Sequence, residues 1–263
     1  MDISKEFTMY QELFNLEGKT IIITGAGSGL GRGLSMAYAE AGANIVTAGR
    51  TFVRLEELVR EVEGRGGKAL AVKTDVTKNE DVEKMIIRCL DQFGAIDVLF
   101  NCAGMSIPGL SAEHVGEREM QTIMDTNFKG VFLCGTAVAR YMLDRGKGKI
   151  INMSSVLGQT LWAKASIYCV SKASIDQITK AWAIEWASRN VTVNALAPTF
   201  VVTDMNRHLF ANKDYEDRVL SHLPMGRIGT VEDLIGPAIF LASSASDFMT
   251  GHILTVDGGW TAL

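Results

Sequence analysis

The stretch KTIIITGAGSGLGRG, residues 19–33, decides the fold. It opens with a short β-branched run that reads as a strand, and it runs on into LGRGLSMAYAEAG, which has the spacing of an amphipathic helix. Between the two lie Gly25, Gly27, Gly29 and Gly31, with Ser28 and Leu30 among them. In a turn of this kind a pyrophosphate can approach bare backbone and meet the free N–H groups of a helix start. The strict GxGxxG spacing is not met, because the last position is Leu30 counted from Gly25 and Arg32 counted from Gly27. A flexible turn is the bland alternative, and the position between strand and helix favours the dinucleotide.

The same rhythm continues outward. NIVTAG is followed by FVRLEELVREVEG, ALAVKT by NEDVEKMIIRCLDQFG, and then come IDVLFN, KIINMS and VTVNALAP, separated by helical segments around Gln121–Leu143 and Ser166–Ser188. Alternation of this period predicts a doubly wound α/β fold, one parallel sheet with helices on both faces. HILTVDGG reads as a last strand ending in a turn. With four prolines and no repeat or linker, residues 16–263 read as one domain and residues 1–15 as an added N-terminal arm. A polar segment at about 204–225, following a strand's carboxyl end, reads as a lobe covering a substrate.

Composition narrows the function. A net charge of −4 without a long basic run argues against nucleic acid as a partner. The charged N-terminus and the lack of a long apolar stretch point to a cytoplasmic protein with no membrane partner. Cys89, Cys102, Cys134 and Cys169 have no CxxC spacing, and His114, His208, His222 and His252 have no helical metal spacing, so no metal is expected.

The second strand ends in VTAGRT, where an acidic residue would accept the adenosine ribose hydroxyls of NAD(H). Gly49 offers no carboxylate and Arg50 offers a planar guanidinium for a 2′-phosphate, which favours NADP(H), with NAD(H) as the alternative. Arg50 could equally begin a solvated helix. Asp75, in KTDVT, could bond an adenine amino group or cap the next helix. Tyr168 and Lys172 stand four apart in a helical segment, with Ser155 thirteen residues upstream. A nearby ammonium favours phenolate, so Lys172 is expected to bring Tyr168 down from near pH 10 towards the useful range of an acid/base. A solvated helix face is the bland reading of the pair. Trp182 and Trp186 form an apolar stripe, read as core or subunit contact.

Taken together, Thr24–Gly31 (TGAGSGLG), TDVT, NCAG at Asn101–Gly104, TNFKG around Asn127, MSS ending at Ser155, YCVSK and VTVNALAP resemble the short-chain dehydrogenase/reductase family. The likeness spans about Leu16 to Trp260 and implies a Rossmann-type fold. It implies Tyr168 as general acid/base, Lys172 as the cation that lowers its pKa and binds the nicotinamide ribose, Ser155 on the substrate oxygen, and Asn127 at a break in a helix holding a relay water. To the glycine turn, Arg50 and Asp75 it adds Val76, Asn101, Ala103, Gly104, Pro198, Thr199, Val201 and Thr203 as cofactor contacts. Two departures stand out: NCAG loses a side-chain amide at Cys102, and Pro198-Thr199 replaces the frequent Pro-Gly. The C-terminal segment from Pro224 to Trp260 is similar to dehydrogenases of sugars, polyols and sugar acids, gluconate dehydrogenases among them, and to 3-oxoacyl carrier-protein reductases. The expected reaction is therefore hydride transfer between NADP(H) and a secondary alcohol or ketone, including carbonyl reduction, by a homotetramer. A non-catalytic dinucleotide sensor is the reading from another class, and the intact Ser155, Tyr168 and Lys172 argue against it.

Overall fold

The computed structural model describes residues 12–203 and 206–263. Seven strands form one parallel sheet: β1 (Thr20–Thr24), β2 (Asn44–Gly49), β3 (Lys68–Lys73), β4 (Val98–Asn101), β5 (Gly148–Met153), β6 (Val191–Pro198) and β7 (Ile253–Val256). Their spatial order is β3-β2-β1-β4-β5-β6-β7. The chain runs outward from β1 to one edge, returns, and runs from β4 to the other, so a crevice opens between the carboxyl ends of β1 and β4. All five residues of β1 are buried, as expected of a strand covered on both faces.

The pleat sends alternate residues of β1 into different cores. Ile22 packs under α3 (Asn79–Phe93), α5 (Gly130–Arg145) and α6 (Ser166–Trp186), with Met85, Cys134 and Trp182. Ile21 and Ile23 pack under α1 (Gly29–Glu40), α2 (Phe52–Gly64) and α8 (Glu232–Ala242), with Leu34, Leu58 and Leu241. Between α3 and α5, the chain forms α4 (Glu117–Met124) and a π-helical turn at Asp125–Lys129, so the long helix expected around Gln121–Leu143 is interrupted. Residues 1–11 of the expected arm lie outside the described residues; Leu13 accepts a bond from Ser244 Oγ at 3.1 Å and Leu16 is core.

Trp182 and Trp186 stack on each other with ring centroids 4.9 Å apart, and both are buried. A Cβ at Gly135 of α5 would stand 2.4 Å from the Trp182 ring, so the small residue admits the indole between two helices. The stripe is core, and it lends no support to a subunit contact. Beyond β6, α7 (Lys213–Leu220) is capped by Asn212, whose Oδ1 accepts from Asp214 N and Tyr215 N. Its segment leans on an aromatic cluster in which Trp162 lies 5.5 Å from Phe200 and 5.4 Å from His222, with the Arg218 guanidinium 4.4 Å over the Trp162 ring. Positions 204 and 205 of the expected lobe lie outside the described residues.

Candidate active site

The glycine turn closes on the end of β4. Thr24 Oγ1 accepts from both Cys102 N and Ala103 N at 3.1 Å, tying the two strand ends that flank the crevice. Gly25 has a φ of +71°, and a Cβ there would meet the Ala103 backbone at 2.8 Å; one at Gly31 would meet Gly25 O at 2.4 Å. Only glycine fits either place. Gly29 faces Thr203, whose Cβ would be 3.5 Å from an added methyl, so Thr203 stands over the turn. Ser28 is the N-cap residue of α1, with Leu30 and Gly31 in its first turn. This cradle of bare backbone at a helix start suits a pyrophosphate.

Arg50 is exposed at the end of β2, and its charge helps draw down the Asp75 carboxyl. Burial pushes that carboxyl up, but hydrogen bonds from Thr77 N and Oγ1 and the charges of Lys78 and Arg50 leave it below its ordinary value. The Asp75–Thr77 contacts form a local turn, and the capping alternative fails because α3 begins after Lys78. Sequence reasoning missed Arg54, whose Cβ would lie 3.5 Å from a methyl at Gly27. Val76 is buried and packs where a Cβ on Gly130 would come within 2.6 Å of it, leaving its backbone for any ligand.

Asn101 does not present its side chain to the crevice. Its Nδ2 donates to Asn152 Oδ1 at 3.0 Å, and Asn152 Nδ2 donates to Thr179 Oγ1 at 2.9 Å, stitching β4 to β5 and β5 to α6. Asn127 lies within the π-helical turn, matching the expected break. Its Oδ1 accepts from Met105 N at 2.8 Å, and its Nδ2 donates to Met105 O at 2.9 Å and Ser171 Oγ at 3.0 Å. The amide thus clamps the loop after β4 as a strand neighbour would, a contact with distant rather than local backbone. Gly104 passes between, where an added Cβ would stand 3.5 Å from Asn127 Oδ1 and 3.6 Å from Lys172 Nζ.

Ser155, Tyr168 and Lys172 converge at the end of β5. Ser155 Oγ accepts from Leu157 N at 3.2 Å and stands near enough to the Tyr168 hydroxyl to favour its ionised form. Lys172 is buried, its Nζ donating to Met153 O at 2.8 Å and lying 5.6 Å from the centre of the Tyr168 ring. The expected lowering of Tyr168 is not what this geometry produces. Burial pushes the phenol up to about 12, with the Ser155 bond opposing, so it is protonated at neutral pH. Burial also brings Lys172 down to about 8, opposed by Cys102 and Asp176.

After β6, Thr199 N donates to Val256 O at 3.3 Å, but Thr199 Oγ1 is a buried hydroxyl without a partner among the described residues. Val201 bridges to Gly229, and Asn206, also missed from sequence, accepts from Thr203 N and donates to Val201 O, both at 2.8 Å. Its side chain fixes the strand extension that carries Pro198, Thr199, Val201 and Thr203. A crevice beside Tyr168 is lined by Ile107, Leu110, Val115 and Ile123, with Glu119 and Lys164 as its charged groups. Lys164 has a φ of +63°, a left-handed conformation uncommon for a residue with a side chain. Arg207 and His208 are exposed.

A parallel, doubly wound sheet with a glycine cradle at its switch point and a Ser-Tyr-Lys cluster beside it defines the dinucleotide-dependent oxidoreductase class. Residues 25–261 match the family described as enoyl-(acyl carrier protein) reductase. A 2-dehydro-3-deoxy-D-gluconate 5-dehydrogenase of Escherichia coli is 36% identical over 97% of this chain and 100% of its own. A 3-oxoacyl-[acyl-carrier-protein] reductase of Thermotoga maritima is 36% identical over 93% and 98%. The crystal structure of a gluconate 5-dehydrogenase from Burkholderia cenocepacia, in complex with NADP and tartrate, superposes with a TM-score of 0.93 at 36% identity, covering 97% of this chain and 99% of that one. The chain belongs to the short-chain dehydrogenase/reductase family.

The buried ammonium makes stability depend on pH in a defined direction. Unfolded, Lys172 titrates near 10.4. Folded, it titrates at about 8. Between these values the unfolded chain binds more protons, so this group's contribution rises with pH across the window. Melting temperatures of wild type and Lys172→Met, taken at about pH 7 and 10, are expected to shift relative to each other in favour of wild type as pH rises. A difference independent of pH would contradict the buried, depressed ammonium.

Proposed function

We propose that the chain is an NADP(H)-dependent oxidoreductase that interconverts a secondary alcohol and a ketone on a sugar acid. The observation that carries this reading is the convergence of Ser155, Tyr168 and Lys172 at the end of β5, beside the glycine cradle. The N–H groups of the Gly25–Gly31 turn would hold the pyrophosphate, and the Arg50 guanidinium would pair with the 2′-phosphate. Asp75 and the Val76 backbone face the adenine. The backbone of Asn101, Ala103 and Gly104 would help hold the cofactor, and Lys172 would bind its ribose hydroxyls. Pro198, Thr199 and Val201 would hold the carboxamide side, where the Thr199 hydroxyl, without a partner among the described residues, would be a donor or acceptor for it. Thr203 covers the phosphates.

Bound NADP(H) supplies or accepts the hydride. Ser155 Oγ bonds the carbonyl oxygen, and Tyr168, held as a protonated phenol, delivers its proton there as negative charge develops. In the oxidative direction Tyr168 acts in its phenolate form, taking the proton of the alcohol while Ser155 Oγ bonds the same oxygen. Lys172 stays close enough to favour the phenolate left behind. Asn127 secures the Met105 loop and, through Ser171, the start of the catalytic helix; we assign its backbone the relay water.

The E. coli and B. cenocepacia relatives support a sugar acid, and Lys164 at the crevice mouth offers a cation for its carboxylate. The apolar lining of that crevice favours a second reading, a 3-oxoacyl carrier-protein substrate, in keeping with the T. maritima relative. Among the described residues, no helix is long and apolar enough to cross a membrane. We place the protein in the cytoplasm as a homotetramer, on the strength of the half-exposed edge strand β7 and the exposed Val170, Ile184 and Phe248.

Tyr168→Phe removes the proton and keeps the ring, so it is expected to bind NADP(H) as wild type does while losing most turnover; near-native kcat would remove Tyr168 from the mechanism. Cofactor choice tests the other end of the site. A Cβ at Gly49 would meet Leu55 Cδ2 at an ordinary 3.5 Å, so a side chain can start there. Wild type is expected to prefer NADP(H) in kcat/KM by about ten- to a hundredfold, the worth of a charge-assisted Arg contact. Gly49→Asp with Arg50→Ala should turn that preference towards NAD(H). Equal or better use of NAD(H) by wild type would leave Arg50 a surface residue.

A further inference from the structure

Three side chains, each one helical turn from the next on α6, grip three consecutive residues at the end of β5. Lys172 Nζ donates to Met153 O at 2.8 Å, Asp176 Oδ1 accepts from Ser154 Oγ at 2.5 Å, and Tyr168 stands beside Ser155 closely enough for that hydroxyl to favour its phenolate. Of these side chains, Lys172 and Tyr168 belong to the chemistry already described. Asp176 touches neither substrate nor cofactor in that account, yet it is a carboxylate only 4% exposed. Burying such a charge is costly unless it is paired and hydrogen-bonded, and the 2.5 Å separation is that of a charge-assisted O–H···O⁻ bond.

The turn after β5 is built onto this carboxylate. Ser154 Oγ also lies 3.4 Å from Lys172 O. A Cβ at Gly158 would stand 2.6 Å from Asp176 Oδ2 and 3.0 Å from Lys172 O, so only a bare backbone can lie there. Asp176 Oδ2 is buried with no hydrogen-bond partner among the described residues, and the retention of such an atom calls for a reason beyond packing. The charged groups around it are Lys172 and Lys180 on its own helix; Ser154 meets it from the turn after β5, and Cys102 approaches Lys172 from the loop after β4.

We infer that Asp176 is a positioning residue for the proton-transfer site: it anchors Ser154, thereby aiming Ser155 Oγ at the Tyr168 hydroxyl, and it keeps a negative charge one turn from the Lys172 ammonium. The inference rests on the reading of Ser155, Tyr168 and Lys172 as the catalytic set. Asp176→Asn preserves the shape and removes the charge, whereas Ser154→Ala breaks the same anchor and leaves the carboxylate in place.

The test is kcat and KM across about pH 6 to 10 for wild type, both variants and Tyr168→Phe, with melting temperatures for each. Asp176→Asn is expected to lose about tenfold in kcat with KM little changed, because misaiming a reacting group costs rate more than binding. Its alkaline limb should move to lower pH, since the neighbouring Lys172 ammonium loses a negative charge that favoured its protonated form. A folded Asp176→Asn with wild-type kcat and an unmoved limb overturns the inference. Should that variant fail to fold, Ser154→Ala decides: lowered kcat at a wild-type melting temperature supports the anchor, and unchanged kcat overturns it. Loss of turnover in Tyr168→Phe beside a wild-type-like Asp176→Asn sinks the Asp176 role alone. Full turnover in Tyr168→Phe sinks the catalytic reading and this inference with it.

Discussion

The site depends on the burial of one ammonium. Lys172 is 4% exposed, and a cation so placed must be hydrogen-bonded to be tolerated. Its partner is the carbonyl of Met153, the last residue of β5, so satisfying the lysine fixes α6 against the carboxyl end of the sheet. Tyr168, one turn earlier on the same helix, is thereby delivered to Ser155. The glycine cradle arrives by a separate route, through Thr24 Oγ1, which ties the end of β1 to the end of β4. Strand order then puts both constructions at the carboxyl ends of neighbouring central strands, because β4 lies between β1 and β5.

Much of this was legible in the chain. Strand boundaries, the glycine turn and the Tyr168–Lys172 spacing follow from patterns a few residues long, and they survive in the structure nearly residue for residue. What could not be read are contacts whose members are dozens of residues apart and meet only through the strand order. Asn101 turning to Asn152, Asn127 clamping Met105, Arg54 lying against Gly27 and Ser154 meeting Asp176 are all of this kind. The Trp182–Trp186 stripe was ambiguous for a related reason: helical spacing shows an apolar face, but only Gly135 on the facing helix reveals what fills it. The nearest signal for Asn206 was a polar residue three positions after Thr203, a spacing that suits a local turn.

Electrostatics followed the same division. Proximity in sequence suggested that Lys172 would pull the Tyr168 phenol down, whereas burial pushes the phenol up and the lysine down together. The resulting pair is a proton donor beside a cation that titrates near neutrality, which suits delivery of a proton to a developing alkoxide. Substrate choice is written in the less regular parts of the chain, in the apolar crevice beside Tyr168 and in the aromatic cluster that seats α7 against Trp162. Those surfaces admit the sugar-acid and acyl readings to different degrees.

The most direct test of the whole account is turnover by the wild-type protein, followed by nicotinamide absorbance. Sugar acids such as gluconate and their keto forms would be offered with NADP(H) and NAD(H), beside polyols, simple ketones and a 3-oxoacyl carrier-protein substrate. The account predicts its highest kcat/KM on a sugar acid with NADP(H). Preference for the 3-oxoacyl substrate would contradict the sugar-acid assignment and keep the chemistry, and nicotinamide binding without turnover of any alcohol or ketone would contradict the central claim that Ser155, Tyr168 and Lys172 form a working proton-transfer site.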